Sequence, residues 1–413
     1  MEPDDIPIEV TARLDRHDRK NLGIIHDASK HQAAHITPEK KTSAILDACK
    51  WRDITKLRSL AESGAGLLND DLRGLAWPIL LGLSPLPSDG NADTSRKDDW
   101  RALARHRDEE QVQLDVNRSF VYYPNDKSEA QLDKCKSELS SLIVEVLRRY
   151  PYLCYFQGYH DICQVFLLVL RPEWRARAVA RLSVLRIRDF MLPNLGPTTA
   201  QLRLLPNILA KADPKLRKHI ATIEPFYALA GTLTMYAHNI QAYRDIARLF
   251  DVFLAREPVF TIYLFAQIVI NRRDEILDID EPDMLQVVLA KVPPSMDLDA
   301  LIAHTIELFH RHPPESLPSW RRISRSSSLK TARDIEACAE QTMEDGQAFF
   351  KGQTKEVRWM EMRDRISMAF WRYRRPIKAV GMAALVATVA FYLRRNPSAV
   401  QYLVSFFGTL SRP

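Results

Sequence analysis

Glycine is scarce in this sequence, with 13 in 413 residues, while Leu, Ala, Arg and Glu are plentiful. That balance leans towards an all-helical build. Strand-type alternation bounded by turn signals is hard to find anywhere, and no internal repeat is visible. Cysteine is sparse as well: Cys49, Cys135, Cys154, Cys163 and Cys338 are odd in number and form no C-x-x-C pair. A reduced, cytosol-facing protein is the simple reading. An excess of one charge is also missing. The 58 basic residues against 52 acidic ones leave only +6, so general nucleic-acid binding is not indicated. The start, Met1-Glu2-Pro3-Asp4-Asp5, is acidic without an apolar core, and no secretory signal is expected.

What is there is a globular composition, 46% apolar and 27% charged, long enough for one large domain or two ordinary ones. Residues 1–40 are charged and aperiodic and read as a mobile, disordered tail. From Lys41, the positions Ile45, Leu46, Cys49, Ile54, Leu57 and Leu60 fall near helical spacing, up to a break at Gly64-Ala65-Gly66. Asn69 to Gly82 reads as a second helix, with acids in its first turn and Trp77 in a core. Ser84 to Thr94 reads as a loop, and a long polar helix is expected from Lys97 towards Glu110. If that helix continues, Asp115 and Arg118 share a face and can pair. Asp133 to Leu147 leads into Tyr155-Phe156-Gln157-Gly158-Tyr159-His160-Asp161-Ile162, backed by the apolar run Val165 to Leu170. Polar residues at the mouth of such a helix are well placed to act on something docked from outside.

Further helical segments run to about residue 312. From Pro313 the composition is that of a linker, followed by charged helices to residue 376, the second with Trp359, Met362, Ile366 and Phe370 on one stripe. Behind Arg372, Arg374, Arg375 and Lys378, the run Ala379–Leu393 is 15 residues without a charge.

The chemistry sits in Val112-x-x-Asp115-x-x-Arg118 and Tyr155-x-Gln157. Singly, each has a bland reading: an exposed helix pair contributing well under ~1 kcal/mol, and a loop amide. His160, Asp161, Cys163 and Cys154 fit no common zinc spacing, and Cys163 enters a buried-looking helix unsuited to a nucleophile. Together and in this order the two motifs resemble the paired signature of the TBC domain, the fold of Rab GTPase-activating proteins. Leu72-Arg73-x4-Pro78 and Leu80-Leu81-Gly82 upstream and Arg248 to Leu254 downstream extend the resemblance over roughly residues 69 to 312. Within that family the sequence is most similar to the membrane-anchored members acting on early-secretory-pathway Rabs, through Tyr155–Ile162, Arg188–Pro193 and the tail run. It departs at Val112, usually isoleucine, and at Leu233-Thr234-Met235-Tyr236, where many members place tryptophan.

The resemblance implies an all-α, multi-helix TBC domain over 41–312, then a linker with charged helices over 313–376, a transmembrane anchor over 377–395 and a short tail over 396–413. It implies that Arg118 is an arginine finger and Gln157 a glutamine supplied in trans. Asp115 then orients Arg118, and Tyr155 holds the loop carrying Gln157. GTP and magnesium come with the Rab partner, so the chain needs no cofactor or metal of its own and activates an enzyme rather than being one. The implied partners are a Rab and a membrane, not nucleic acid. The implied place is the endoplasmic reticulum or early secretory membrane, in vesicle transport, with a single C-terminal span and the domain facing the cytosol. Fifteen residues span only ~22 Å against a ~30 Å hydrocarbon core; Ile377, Lys378 and the stems of Arg394 and Arg395 can extend the anchor, and a thin membrane would suit it. Ala399 to Leu410 leaves an interfacial piece and a hairpin both open. The rival reading is a TBC-fold scaffold that binds a Rab without catalysis; the presence of both Arg118 and Gln157 argues against it.

Overall fold

The computed structural model describes residues 37–85 and 99–396, with side chains omitted at 369, 370 and 372–380. Residues 1–36 of the expected tail, most of the Ser84–Thr94 loop and residues 397–413 therefore lie outside the described residues. Every regular element among the described residues is helical.

Where one helix is expected from Lys41 there are two, α1 (Pro38–Trp51) and α2 (Ile54–Glu62). Arg52 takes φ +52° between them, and the Asp53 side chain caps α2 by accepting from the Lys56 N–H at 2.8 Å. Helix α3 (Asp70–Leu80) starts at Asn69, whose side chain accepts from the Leu72 N–H at 3.0 Å. The long polar helix expected over 97–110 is absent among the described residues. Trp100–Ala102 forms a single 3-10 turn, and the chain becomes α-helical only at α4 (Glu109–Val116). Helix α5 (Glu129–Arg149) opens on a Ser128/Gln131 capping box. Behind it come α6 (Tyr159–Val169) and α7 (Pro172–Arg181), which runs on through a π-turn at Leu182–Arg186. Short helices fill 196–233, then α8 (Tyr243–Ala255), α9 (Phe260–Asn271) and α10 (Leu298–Arg311) complete the body.

The apolar α6 is buried on almost every side and packs against α3, α5 and α7. Trp77 meets Phe166 edge-on at 5.6 Å and Phe250 at 5.9 Å, joining α3, α6 and α8. Beside them, the fully buried Asp251 of α8 accepts from Arg73 Nε at 3.0 Å, Trp77 Nε1 at 2.9 Å and the Leu67 N–H at 3.0 Å. One carboxylate thus fastens α3 and the turn before it to α8.

The stretch expected as linker packs onto the domain. Leu329, Ala332, Ile335 and Cys338 are buried there. Asp189, itself buried, accepts from Ser327 Oγ, the Ser328 N–H at 2.9 Å, Gln201 Nε2 at 2.7 Å and Gln353 Nε2 at 2.9 Å. The serines that give the segment its linker-like composition are donors to a buried acid. Gln353 belongs to α11 (Met343–Arg395), one helix of 53 residues where charged segments and a separate anchor were expected. Its early turns lie against the π-turn, close enough that a Cβ on Gly346 would come within 3.2 Å of the Val184 carbonyl. Further on, Trp359, Met362 and Ile366 are each more than half exposed, and the Phe370 side chain is outside the description. No helix among the described residues is long and apolar enough to cross a membrane. The side chains of 377–380, which open the expected anchor over 377–395, are not among those described.

Candidate catalytic groove

Helix α4 stops at Val116 with Asn117 as its cap, so Arg118 falls in the turn beyond it. Its N–H still reaches the Asp115 carbonyl at 3.0 Å, but its exposed guanidinium has no hydrogen-bond or ion-pair partner among the described residues. The Asp115–Arg118 side-chain pairing expected from a continuous helix is therefore not formed. The buried Asp115 carboxylate turns the other way, to Tyr155 Oη at 2.8 Å and Gln111 Nε2 at 3.1 Å. Burial first, and the bond to Asp115 second, push the Tyr155 phenol far above its ordinary value and keep it a donor. The Tyr155 N–H reaches Asp108 Oδ2 at 2.9 Å, and the Cys154 N–H reaches the Met191 carbonyl at 2.8 Å. The two-residue reach from Tyr155 to Gln157 is thus anchored at its root.

Gly158 leads the turn into α6 with φ +97°, and a Cβ there would lie 2.5 Å from Thr234 Cγ2. Only glycine suits both the conformation and the space. Asp161, in the first turn of α6, lies 3.0 Å from His238 Nδ1 and 3.2 Å from His160 Nε2. Its hydrogen bond raises His238 above the usual imidazole range, whereas burial lowers the neighbouring His160. Gln157 itself is exposed and, among the described residues, unpaired.

Arg118 and Gln157 line one groove of about 610 Å³. The facing wall is Leu229–Leu233 and the loop Thr234–His238, in which Met235 and Tyr236 hold φ +48° and +65°. Tyr236 keeps that strained path: it is fully buried, stacks on Phe253 at 5.6 Å and donates to the Thr261 carbonyl at 2.8 Å. Tyr236 belongs to the Leu233-Thr234-Met235-Tyr236 stretch noted above as a departure from the family pattern. Val121, Tyr122 and Leu195 supply exposed apolar surface along the groove.

A family profile described as the Rab-GTPase-TBC domain matches residues 70–277, from the start of α3 to beyond both motif loops. The chain belongs to the Rab-GTPase-TBC domain family. TBC1 domain family member 20 of Bos taurus is 33% identical over 319 residues, covering 74% of this chain and 77% of its own. GTPase-activating protein gyp10 of Schizosaccharomyces pombe is 33% identical over 68% of this chain and 76% of its own. The crystal structure of the Ypt/Rab-GAP domain of Gyp1p covers 62% of this chain and 92% of its own, with a TM-score of 0.50 at 14% identity, a likeness of fold. In this TBC domain, sequence reasoning missed the structural parts played by Gln164 and by the Thr234–His238 wall. A lone amide inside an apolar helix is the signal that marks the first; the second carries none, because its conformation depends on the burial of Tyr236.

Proposed function

We propose that this TBC domain accelerates GTP hydrolysis by a Rab GTPase, with Arg118 as arginine finger and Gln157 orienting the attacking water. The observation that carries the proposal is that these two side chains reach one groove unpaired, while Asp115, Tyr155, His160 and Asp161 around them are all bonded. Hydrolysis gathers negative charge on the oxygens around the γ-phosphoryl group while water attacks in line. A guanidinium neutralises that charge with fixed donors, and a carboxamide both accepts from and donates to the water without changing charge. Asp115 and Tyr155 brace the two turns against each other, so the backbone under each side chain is already placed and only the side chains are ordered when the partner docks. The name of the fission-yeast relative, a GTPase-activating protein, agrees with this reading.

The role of Gln157 has its own test. If it replaces the Rab's switch glutamine, a Rab with that glutamine changed to alanine should still respond to the wild-type protein, and Gln157→Ala should abolish that response. Loss of stimulation on the altered Rab, with little effect of Gln157→Ala on the normal one, would sink the assignment. Binding of the GTP-loaded Rab with no change in its hydrolysis would instead identify a scaffold.

The C-terminus extends the proposal to place. Ala379–Leu393 is uncharged behind a basic cluster, and its ~22 Å suits the thinner bilayer of the endoplasmic reticulum better than the plasma membrane. The tail then tethers the domain, facing the cytosol, where it meets early-secretory Rabs at raised effective concentration. Deleting residues 377–413 should release the protein from membranes and leave its activity on soluble Rab intact. Extraction of the full-length protein by alkaline carbonate would show that the run does not span.

A further inference from the structure

Gln164 is the one amide on the buried face of α6, with Cys163, Val165, Phe166 and Leu167 around it in sequence, and it is 4% exposed. Its Oε1 accepts from the Phe120 N–H at 3.1 Å, and its Nε2 donates to the Tyr123 carbonyl at 3.2 Å. Both partners lie on the loop that leaves Arg118, and Phe120 holds a left-handed φ of +64°, which a non-glycine residue keeps only when its surroundings impose it. An amide in apolar surroundings is costly unless paired, so the sequence retains one here against the grain of the helix. The same α6 begins at the Gln157 turn.

We propose that Gln164 is a positioning residue for Arg118: it fixes the path of the finger loop onto the helix that presents Gln157, so that one helix sets both groups. This rests on the reading of Arg118 as the finger. The buried Phe120 and Tyr123 rings, the second 5.6 Å from Tyr243, and Ser119 Oγ donating to the Asp115 carbonyl at 3.4 Å also hold the loop, but the two bonds from Gln164 are the ones that tie its backbone directly to α6. A satisfied core amide with no catalytic consequence would show the same two bonds, and the test separates them.

The full-length protein is assayed for stimulation of GTP hydrolysis by a responsive Rab. Gln164→Met, which keeps the side chain's length and removes both bonds, should lower kcat on the order of 10- to 100-fold, because small misplacements of a catalytic group are that costly. KM should change by no more than about threefold, since the loop's contact surface remains. In an Arg118→Ala background the same change should cost nothing further. A folded Gln164→Met with full kcat overturns the proposal, and so does an undiminished loss in the Arg118→Ala background, which marks a merely structural role. Should Gln164→Met fail to fold, Gln164→Glu keeps the acceptor for Phe120 and can donate to Tyr123 only while its carboxyl is protonated; a kcat that stays unchanged in alkaline buffer, where the carboxylate is ionised, overturns it too. An Arg118→Lys protein of full activity is a different failure, one of the finger reading itself.

Discussion

Replacing Arg118 by lysine should leave a folded protein that has lost nearly all stimulation of GTP hydrolysis. The residue is exposed and bonded to nothing else by its side chain among the described residues, so its removal takes nothing from the fold. Lysine keeps the charge, but it replaces a planar fork of fixed donors with a compact ammonium. An arginine finger contributes about 10³–10⁵ in rate, and most of that should vanish in both Arg118→Lys and Arg118→Ala. Single-turnover hydrolysis on a Rab, with thermal unfolding measured alongside, checks both halves. A lysine variant of full activity would show that the groove needs only positive charge, or that the catalytic cation comes from elsewhere.

The largest loss of stability should follow from Asp251→Ala. That carboxylate is fully buried and serves Arg73, Trp77 and the Leu67 backbone at once. Its removal leaves the Arg73 guanidinium, itself almost wholly buried, with only the half-exposed Asp70 at 2.8 Å. Breaking a buried pair from one side costs about 3–5 kcal/mol, because the remaining charge stays out of water. Urea unfolding at neutral pH gives the number. Replacing both Arg73 and Asp251 with leucine should recover part of it, since no charge is then stranded. A single-variant loss below about 1 kcal/mol would mean that water reaches Arg73 and that the knot holds less than its geometry implies.

That Arg118 and Gln157 stand together was legible because the motifs that carry them are local, residue types in fixed order at short spacing, and both side chains line one groove. The helices of the body were legible from their apolar period. The partner of Asp115 was not, because the choice between Arg118 and Tyr155 turns on where α4 stops, and Tyr155 lies 40 residues away in sequence. The packed segment after residue 313 was misread for a similar reason. Serine, proline and arginine describe a solvated linker unless a buried acid needs donors, and Asp189 is 138 residues from Ser327. Gln164 was hidden inside a run whose other members all argued for a core.

The long final helix has a mechanical consequence. At about 1.5 Å per residue, 53 residues make a rod of about 80 Å, and Gln353 keys its root into the Asp189 cluster. A chain of random coil at that place would let the groove wander over every orientation. A rod pointing out of the domain instead gives the groove a bearing as well as a reach, measured from whatever holds the far end. Each residue turns an α-helix by about 100°, so two residues added beyond Trp359 would swing the groove about 200° round the axis, whereas seven would return it nearly to its old heading. The stalk's residue count, more than its composition, then sets which way the groove looks.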